Sequence, residues 1–232
     1  LGGIEALVFV MSVMWVLRVH GGDAPLGPSL GLRPTHPALL VLGVCLGFAL
    51  HFPAEFVDGL VQRFLPDAGE QNAAEAALLS AGTPARLVLV LVVIACVGPF
   101  VEELFFRGAL YGALRRSYSL GVTTAIVSLC FVVGHLNAHR WPALALVAVA
   151  ISYLRAVSGS LLPALALHVS FNAVTVLAFA TGAAPLVGAG PPRIEPVPVV
   201  LGSLAAFGLI LTVRYVALHA AVARRGRAED AL

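Results

Sequence analysis

The sequence contains few charged residues, and none of them is lysine. Only 11% of its 232 residues are charged, all fourteen basic residues are arginine, and the formal net charge is +2. An average soluble domain carries about 25% charged residues, so this composition argues against a soluble domain. The small net charge gives no reason to expect nucleic acid as a partner. Arginine without lysine, beside abundant alanine, valine, leucine and glycine, is typical of a GC-rich bacterial genome.

Cysteine is also scarce. Cys45, Cys96 and Cys130 lie in apolar runs and lack the CxxC spacing of metal and redox sites. This pattern argues against a disulfide framework and against a cysteine metal site. We therefore expect three free thiols buried in helices.

Long apolar runs are what the sequence has in abundance. Hydrophobic residues make up 59% of the chain, and its mean hydropathy is +0.97. A helix needs about 20 apolar residues to cross a bilayer, and seven runs approach this length, with six or eight helices as the alternatives. The predicted spans are Gly3–Val19, Pro37–Val57, Pro84–Leu114, Leu120–Leu136, Pro142–Val157, Leu161–Thr181 and Pro198–Ala221. We predict an all-α fold, a polytopic membrane helical bundle of about seven transmembrane helices with a polar intramembrane cavity, forming one domain over 1–232.

The arginines are distributed unevenly between the two sides of this bundle. One side carries Arg18, Arg33, Arg115, Arg116, Arg155, Arg224, Arg225 and Arg227, and the other carries Arg63, Arg86, Arg140 and Arg193. Because cytoplasmic loops are enriched in basic residues, we expect the C-terminus inside and the connection Asp58–Arg86 outside, in a multi-pass protein of a bacterial inner membrane. The chain begins at Leu1 rather than at methionine, which leaves open whether a segment precedes it.

Two adjacent carboxylates interrupt the third predicted span. Glu102 and Glu103 follow fifteen uncharged residues, and a charge near the bilayer centre costs at least ~2.5 to 3.5 kcal/mol. Arg107 lies four residues after Glu103, so the two are expected to pair on one helix face. Glu102, rotated by about 100°, is then expected to point elsewhere. Pro99 removes a backbone hydrogen bond and predicts a kink beside it.

These charges allow two interpretations. A carboxylate held away from bulk water accepts a proton more readily than a solvated one, which suits a general base. The alternative is a buried network in which Glu102, Glu103 and Arg107 only hold helices together.

Two histidines in other spans favour the chemical interpretation. His135 follows Phe131 by four residues and His168 precedes Asn172 by four, so each pair is expected to share a helix face. A lone histidine in a membrane helix is more often a link between helices, but two imidazoles and a free carboxylate are what a hydrolytic site needs. Asn172 is expected to hydrogen-bond His168 or a substrate amide, and Phe131 to pack as a wall. His139 precedes residues typical of a helix end at the membrane interface, so we assign it no role.

Three motifs, taken in chain order, resemble those of the CPBP family of CAAX proteases and bacteriocin-processing intramembrane endopeptidases. They are Glu102-Glu103-x-x-x-Arg107, Phe131-x-x-x-His135 and His168-x-x-x-Asn172. The resemblance covers about 97–178 and includes Tyr153-Leu-Arg155 and Ser158-Gly-Ser-Leu-Leu-Pro163, and Gly31-Leu32-Arg33-Pro34 resembles a further element of the family.

The resemblance implies an intramembrane endopeptidase with a defined set of site residues. Glu102 would activate water with support from Glu103, and His135 and His168 would complete the water or metal site. Asn172 would stabilise the oxyanion, and the arginine of the first motif would orient the acid pair.

The cofactor and the substrate are open at this point. The resemblance allows one divalent metal ion, zinc, held by Glu102, His135 and His168, or no metal at all. It implies the lipid bilayer and a membrane-associated protein tail or peptide precursor as partners, for example a C-terminal sorting signal or a bacteriocin precursor. The oligomeric state stays open.

Two other classes of function are alternatives. Intramembrane Glu and His residues also serve proton-coupled transporters, although the inverted repeats of many transporters are not visible here. An inactive scaffold or immunity protein would be expected to have lost part of the motif set, and every polar position of that set is present.

Overall fold

All regular secondary structure in the described part of the chain is helical. The computed structural model describes residues 11, 12, 15, 25–65, 83–135, 137–182 and 196–229, with side chains to 223 in the last range, and none of these residues forms a strand. The helices are α1 (Leu26–Ser29), α2 (Pro37–Phe64), α3 (Pro84–Leu114), α4 (Leu120–Gly134), α5 (Trp141–Ser158), α6 (Leu162–Thr181) and α7 (Pro196–Glu229). Most of the predicted span Gly3–Val19 and most of the connection Asp58–Arg86 lie outside the described residues.

Five helices are long and apolar enough to cross a membrane within the described ranges: α2, α3, α5 with the preceding turn Ala138–Arg140, α6 and α7. The prediction of an all-α, polytopic membrane bundle is therefore confirmed. Helix α2 continues to Phe64, seven residues beyond its predicted end.

Helix α4 is shorter than predicted. It ends at Gly134 rather than at Leu136, because the backbone of His135 is extended, with φ −87° and ψ 102°. Its 15 residues make a helix of about 22 Å, less than the ~30 Å hydrocarbon core of a bilayer.

Local sequence signals explain where the site helices begin and end. The side chain of Thr83 accepts a hydrogen bond from the Arg86 N–H, and Pro84 follows at the first helical position of α3, where its missing N–H costs nothing. Helices α5 and α6 both end at a glycine in the left-handed region, Gly159 with φ 67° and Gly182 with φ 71°.

Helices α2 and α6 approach each other closely through two glycines. A Cβ atom added at Gly43 would lie 2.6 Å from the Pro163 carbonyl oxygen, and one at Gly47 would lie 2.6 Å from that of Leu167. Two glycines four residues apart are the common device for bringing membrane helices together. This contact, which we call the glycine seam, fixes the helix that carries His168.

Helix α3 departs from regular geometry on both sides of the acid pair. Two π-helical stretches, Leu91–Val97 and Leu104–Leu110, flank the regular segment Gly98–Glu103. The disturbance predicted at Pro99 thus takes the form of a widened helix, in which the Gly98 N–H bonds the Val93 carbonyl five residues back. Such π-helical turns occur frequently at functional sites.

The expectation of buried cysteines is wrong. Cys45, Cys96 and Cys130 are free thiols, as expected, but all three are exposed on the helix surface. In a bilayer the outer surface of a helix faces lipid tails, which are as apolar as the protein interior, so an apolar run does not distinguish the two locations.

Candidate active site

Glu103 and Arg107 form the fully buried base of the site. Neither is exposed, and Arg107 Nη1 donates to Glu103 Oε1 at 2.8 Å. The ion pair expected from their spacing is present. Arg107 also donates to the Ala148 carbonyl at 3.1 Å and to Ser152 Oγ at 3.4 Å, so α5 helps to hold the guanidinium in place.

His168 lies between the two carboxylates. Its Nδ1 is 2.9 Å from Glu103 Oε1, and its Nε2 is 3.7 Å from Glu102 Oε2. Glu102 Oε2 makes no hydrogen bond with the Glu103–Arg107 pair, in line with its expected rotation away from that pair, and it faces the opposite edge of the same imidazole. The two carboxylates nevertheless differ, since Glu103 is buried and paired whereas the Glu102 side chain is 25% exposed.

The contacts fix the tautomer of neutral His168. Glu103, as a carboxylate beside Arg107, can only accept, so Nδ1 carries the proton and donates it. Nε2 then presents a lone pair towards Glu102. Glu102 Oε2 is itself buried and has no hydrogen-bond partner among the described residues.

Phe131 packs at the centre of the charged groups. It is 1% exposed, and its ring centroid lies 4.5 Å from the Arg107 guanidinium carbon and 5.6 Å from the His168 ring. The His135 ring lies 4.6 Å away. This apolar ring connects the α4 histidine to the ion pair and restricts water around it.

His135 does not share a helix face with Phe131 as the spacing suggested. It is the residue after the end of α4, and its Nδ1 is 2.8 Å from the Phe131 carbonyl oxygen. Its own carbonyl accepts a hydrogen bond from the Trp141 indole at 2.6 Å. A carbonyl of α4 and the first side chain of α5 thus hold this residue in place. His139 lies in the short turn that leads into α5.

Asn172 does not bond His168, which was one of its two expected partners. Its Nδ2 donates instead to the carbonyl oxygen of Ile94 in the first π-helical stretch of α3, at 3.0 Å. Asn172 therefore links α6 to α3 one turn beyond His168.

A zinc ion held by Glu102, His135 and His168 is only partly consistent with this geometry. Both imidazoles direct Nδ1 at an acceptor, Glu103 or the Phe131 carbonyl, and this is how ligating histidines are usually held. Within the described residues, however, no three His, Cys, Asp or Glu side chains lie close enough to share an ion. The tautomers of the two histidines suit metal ligands, but the three side chains do not lie close enough together to share an ion. The proposed reaction therefore contains no step that uses a metal.

An apolar groove of about 360 Å³ lies between α3 and α6, lined by Cys96, Val97, Phe100, Leu165 and Val169. These residues are within two helical turns of Glu102 or His168 along the chain. The groove gives apolar material a place to lie on the two helices that carry Glu102 and His168, although neither of these side chains lines it.

The part of the chain that carries the three motifs matches a known family. Residues 84–174 match the family model of Rce1-like type II CAAX prenyl endopeptidases. This region of the chain is therefore similar to the CAAX-protease family. It runs from the start of α3 past Asn172 and includes every residue of the three motifs. Neither a curated protein nor a solved structure matches the chain.

Sequence reasoning missed the part that α5 plays in the site. Ala148 and Ser152 contact the Arg107 guanidinium, and Arg155 Nε donates to the Arg107 carbonyl oxygen at 3.1 Å. These three residues are spaced four and three apart, so they lie on one helix face. A face of small and polar residues in an apolar helix was the signal that could have found them.

Proposed function

We propose that this protein is an intramembrane endopeptidase in which Glu102 activates the hydrolytic water. The observation that carries the proposal is the buried Oε2 atom of Glu102, which has no hydrogen-bond partner among the described residues and lies 3.7 Å from His168 Nε2. Buried polar atoms are nearly always paired. Glu103 Oε2 also lacks a partner, but Glu103 Oε1 is bonded to both Arg107 and His168, whereas no hydrogen bond to Glu102 is seen among the described residues. A separation of 3.7 Å is too long for a direct hydrogen bond.

The proposed reaction is a general-base hydrolysis. Glu102 takes a proton from water as the water oxygen attacks the scissile carbonyl carbon, forming a tetrahedral intermediate. The same proton then passes to the amide nitrogen, the carbon–nitrogen bond breaks, and Glu102 returns to its ionised form. His168, held by Glu103, accepts a hydrogen bond from the water at Nε2 and orients it.

The remaining site residues hold or surround Glu102 and His168. Arg107 holds Glu103, which holds the His168 ring, so the ion pair acts through the histidine rather than on the substrate. The His135 ring lies 4.6 Å from that of Phe131 and would complete the polar cavity. In this proposal Glu103 and Arg107 have a structural role, whereas Glu102, the third member of the buried network considered from the sequence, does the chemistry.

We propose a membrane-associated protein tail or peptide precursor as the substrate, cleaved in a bacterial inner membrane. The apolar groove between α3 and α6 supports a substrate with an apolar segment, because such a segment could lie there while its polar backbone reaches Glu102.

The test compares membrane proteomes of a deletion strain complemented with wild type, Glu102→Gln or Glu55→Gln. Glu55 is an exposed carboxylate on α2 outside the site, so its variant controls for loss of a carboxylate from a membrane helix. We expect new protein termini with wild type and Glu55→Gln, and none with Glu102→Gln. If Glu102→Gln rescues the deletion phenotype and yields the same termini as wild type, the protein is a scaffold or transporter.

Metal dependence needs a separate measurement. Elemental analysis of the purified protein, with Glu102→Gln and His168→Ala beside wild type, decides between the two mechanisms without relying on activity. Stoichiometric zinc that both variants lose would assign those side chains as ligands, and its absence from wild type would favour the metal-free reaction.

A further inference from the structure

The Ile94 carbonyl lacks the backbone partner that a regular helix would give it. In an α-helix this oxygen would accept from the Gly98 N–H, but that N–H bonds the Val93 carbonyl. In π-helical geometry the donor would be the N–H five residues later, and that residue is Pro99, which has none. The sequence Gly98-Pro99 in a π-helical stretch therefore leaves one carbonyl without a backbone donor.

The side chain of Asn172 takes the place of that donor. Its Nδ2 lies 3.0 Å from the Ile94 oxygen in a partly buried position. An unpaired carbonyl in hydrocarbon costs as much as a lost hydrogen bond or more, so this contact favours one particular placement of α6 against α3.

That placement also sets the catalytic geometry. Asn172 and His168 are four residues apart on α6, and Ile94 and the acid pair are on opposite sides of Pro99 in α3. The Asn172–Ile94 bond and the His168–Glu103 bond thus join the same two helices at two levels. A slide or rotation of α6 that broke the first would move the imidazole relative to both carboxylates.

We propose that Asn172 is a positioning residue whose amide replaces the backbone donor missing at Pro99 and so holds His168 in register with Glu102 and Glu103. This deepens the proposed function and rests on it for the catalytic readout alone. It differs from the oxyanion role that the family resemblance implies, in which Asn172 would touch the substrate. The amide has two hydrogens, and only one is used by Ile94, so experiment must separate the two roles.

Pro99 supplies the experiment. Pro99→Ala restores an N–H at residue 99, five residues after Ile94, and this N–H can take over the carbonyl. A double-mutant cycle of Asn172→Ala and Pro99→Ala, read by thermal unfolding in detergent and by cleavage rate, measures whether the two positions depend on each other. Thr175→Ala is the matched control, because its hydroxyl bonds the Phe171 carbonyl within α6 and has no part in the α3 contact.

The expected result is a coupling in both readouts. Asn172→Ala alone should lower the unfolding temperature by about 2 to 4 °C and slow cleavage, and both losses should shrink in the Pro99→Ala background. Thr175→Ala should behave alike in both backgrounds. Equal fold losses of cleavage in the two backgrounds, with an unchanged unfolding temperature, would overturn the proposal and place Asn172 on the substrate.

Two further arms keep the test decisive. If Pro99→Ala does not insert, Asn172→Asp replaces the donor by an acceptor facing the Ile94 oxygen, and it should unfold at a lower temperature than Asn172→Ala. Equal unfolding temperatures for the two would overturn the proposal. The unfolding temperature is measured without substrate, so it tests the role of Asn172 even if the protein hydrolyses nothing. Failure of the proposed function would be seen separately, as an absence of cleavage by wild type.

Discussion

Helix α6 meets two neighbours in two different ways. At the glycine seam with α2, backbones approach so closely that an added Cβ would lie 2.6 Å from a carbonyl oxygen. On the α3 side the contact includes polar side chains, His168 with the acid pair and Asn172 with Ile94. The α2 contact requires the absence of side-chain volume, and its hydrogen bonds, from His51 and Ser170, end on carbonyl oxygens. The α3 contact combines apolar packing of Val90 with Val176 and hydrogen bonds made by the side chains of the site. The first fixes the helix, and the second orients chemical groups on it.

The largest effect on cleavage is expected at Glu102, whose Oε2 atom has no hydrogen-bond partner among the described residues. Glu102→Gln should reduce cleavage by about 10²- to 10⁴-fold, the usual contribution of a general base, while the unfolding temperature stays at the wild-type value. Single-turnover cleavage and a thermal melt on the same preparation check both. If the unfolding temperature falls together with the cleavage rate, Glu102 has a structural role in the contact between α3 and α6.

Breaking the ion pair should cost stability as well as activity. Arg107→Met leaves Glu103 buried without its cation, which typically costs about 3 to 5 kcal/mol. The matched control is the double variant Glu103→Leu with Arg107→Met, which removes both charges and should recover much of that stability while staying inactive. If the single variant is as stable as wild type, the pair does not hold the polar contact together.

Adding volume should disturb the glycine seam and not the polar contact directly. Gly47→Ala places a methyl group against the Leu167 carbonyl, and overpacking of this kind costs about 1 to 3 kcal/mol. Gly208→Ala on α7, where an added Cβ meets nothing within 4 Å, is the control and should be neutral or slightly stabilising. Equal melts for the two variants would show that the close approach of α2 and α6 is not needed.

The smallest effect is expected at the aromatic ring between the two histidines. Phe131→Leu keeps an apolar side chain but loses the ring contacts with Arg107, His135 and His168, worth about 0.5 to 1.5 kcal/mol. Phe207→Leu, at a 61% exposed position on α7, should change nothing measurable. A loss at Phe131 no larger than at Phe207 would remove the ring from the description of the site.

The sequence predicted the long helices and the ion pair because both follow from local rules. Apolar length alone gave α3 its observed limits, Pro84 and Leu114, and four-residue spacing paired Glu103 with Arg107. Contacts between helices do not follow from local rules. No spacing rule reveals that His168 reaches both carboxylates, or that Asn172 bonds Ile94, because each depends on how α6 is placed against α3. Nor could periodicity foresee the π-helical stretches, the first of which lies beside the missing N–H of Pro99, where another helix supplies the donor.

The shortness of α4 has a consequence for the surrounding lipid. A helix of about 22 Å cannot match a hydrocarbon layer of ~30 Å, and the usual adjustments are local thinning of the bilayer or entry of headgroups and water. Either adjustment brings water and polar groups nearer to His135, at the end of that helix. A substrate backbone approaching there crosses less hydrocarbon than elsewhere around the protein. Cleavage should therefore depend on acyl-chain length, so that the thickness of the membrane becomes a determinant of the reaction rate.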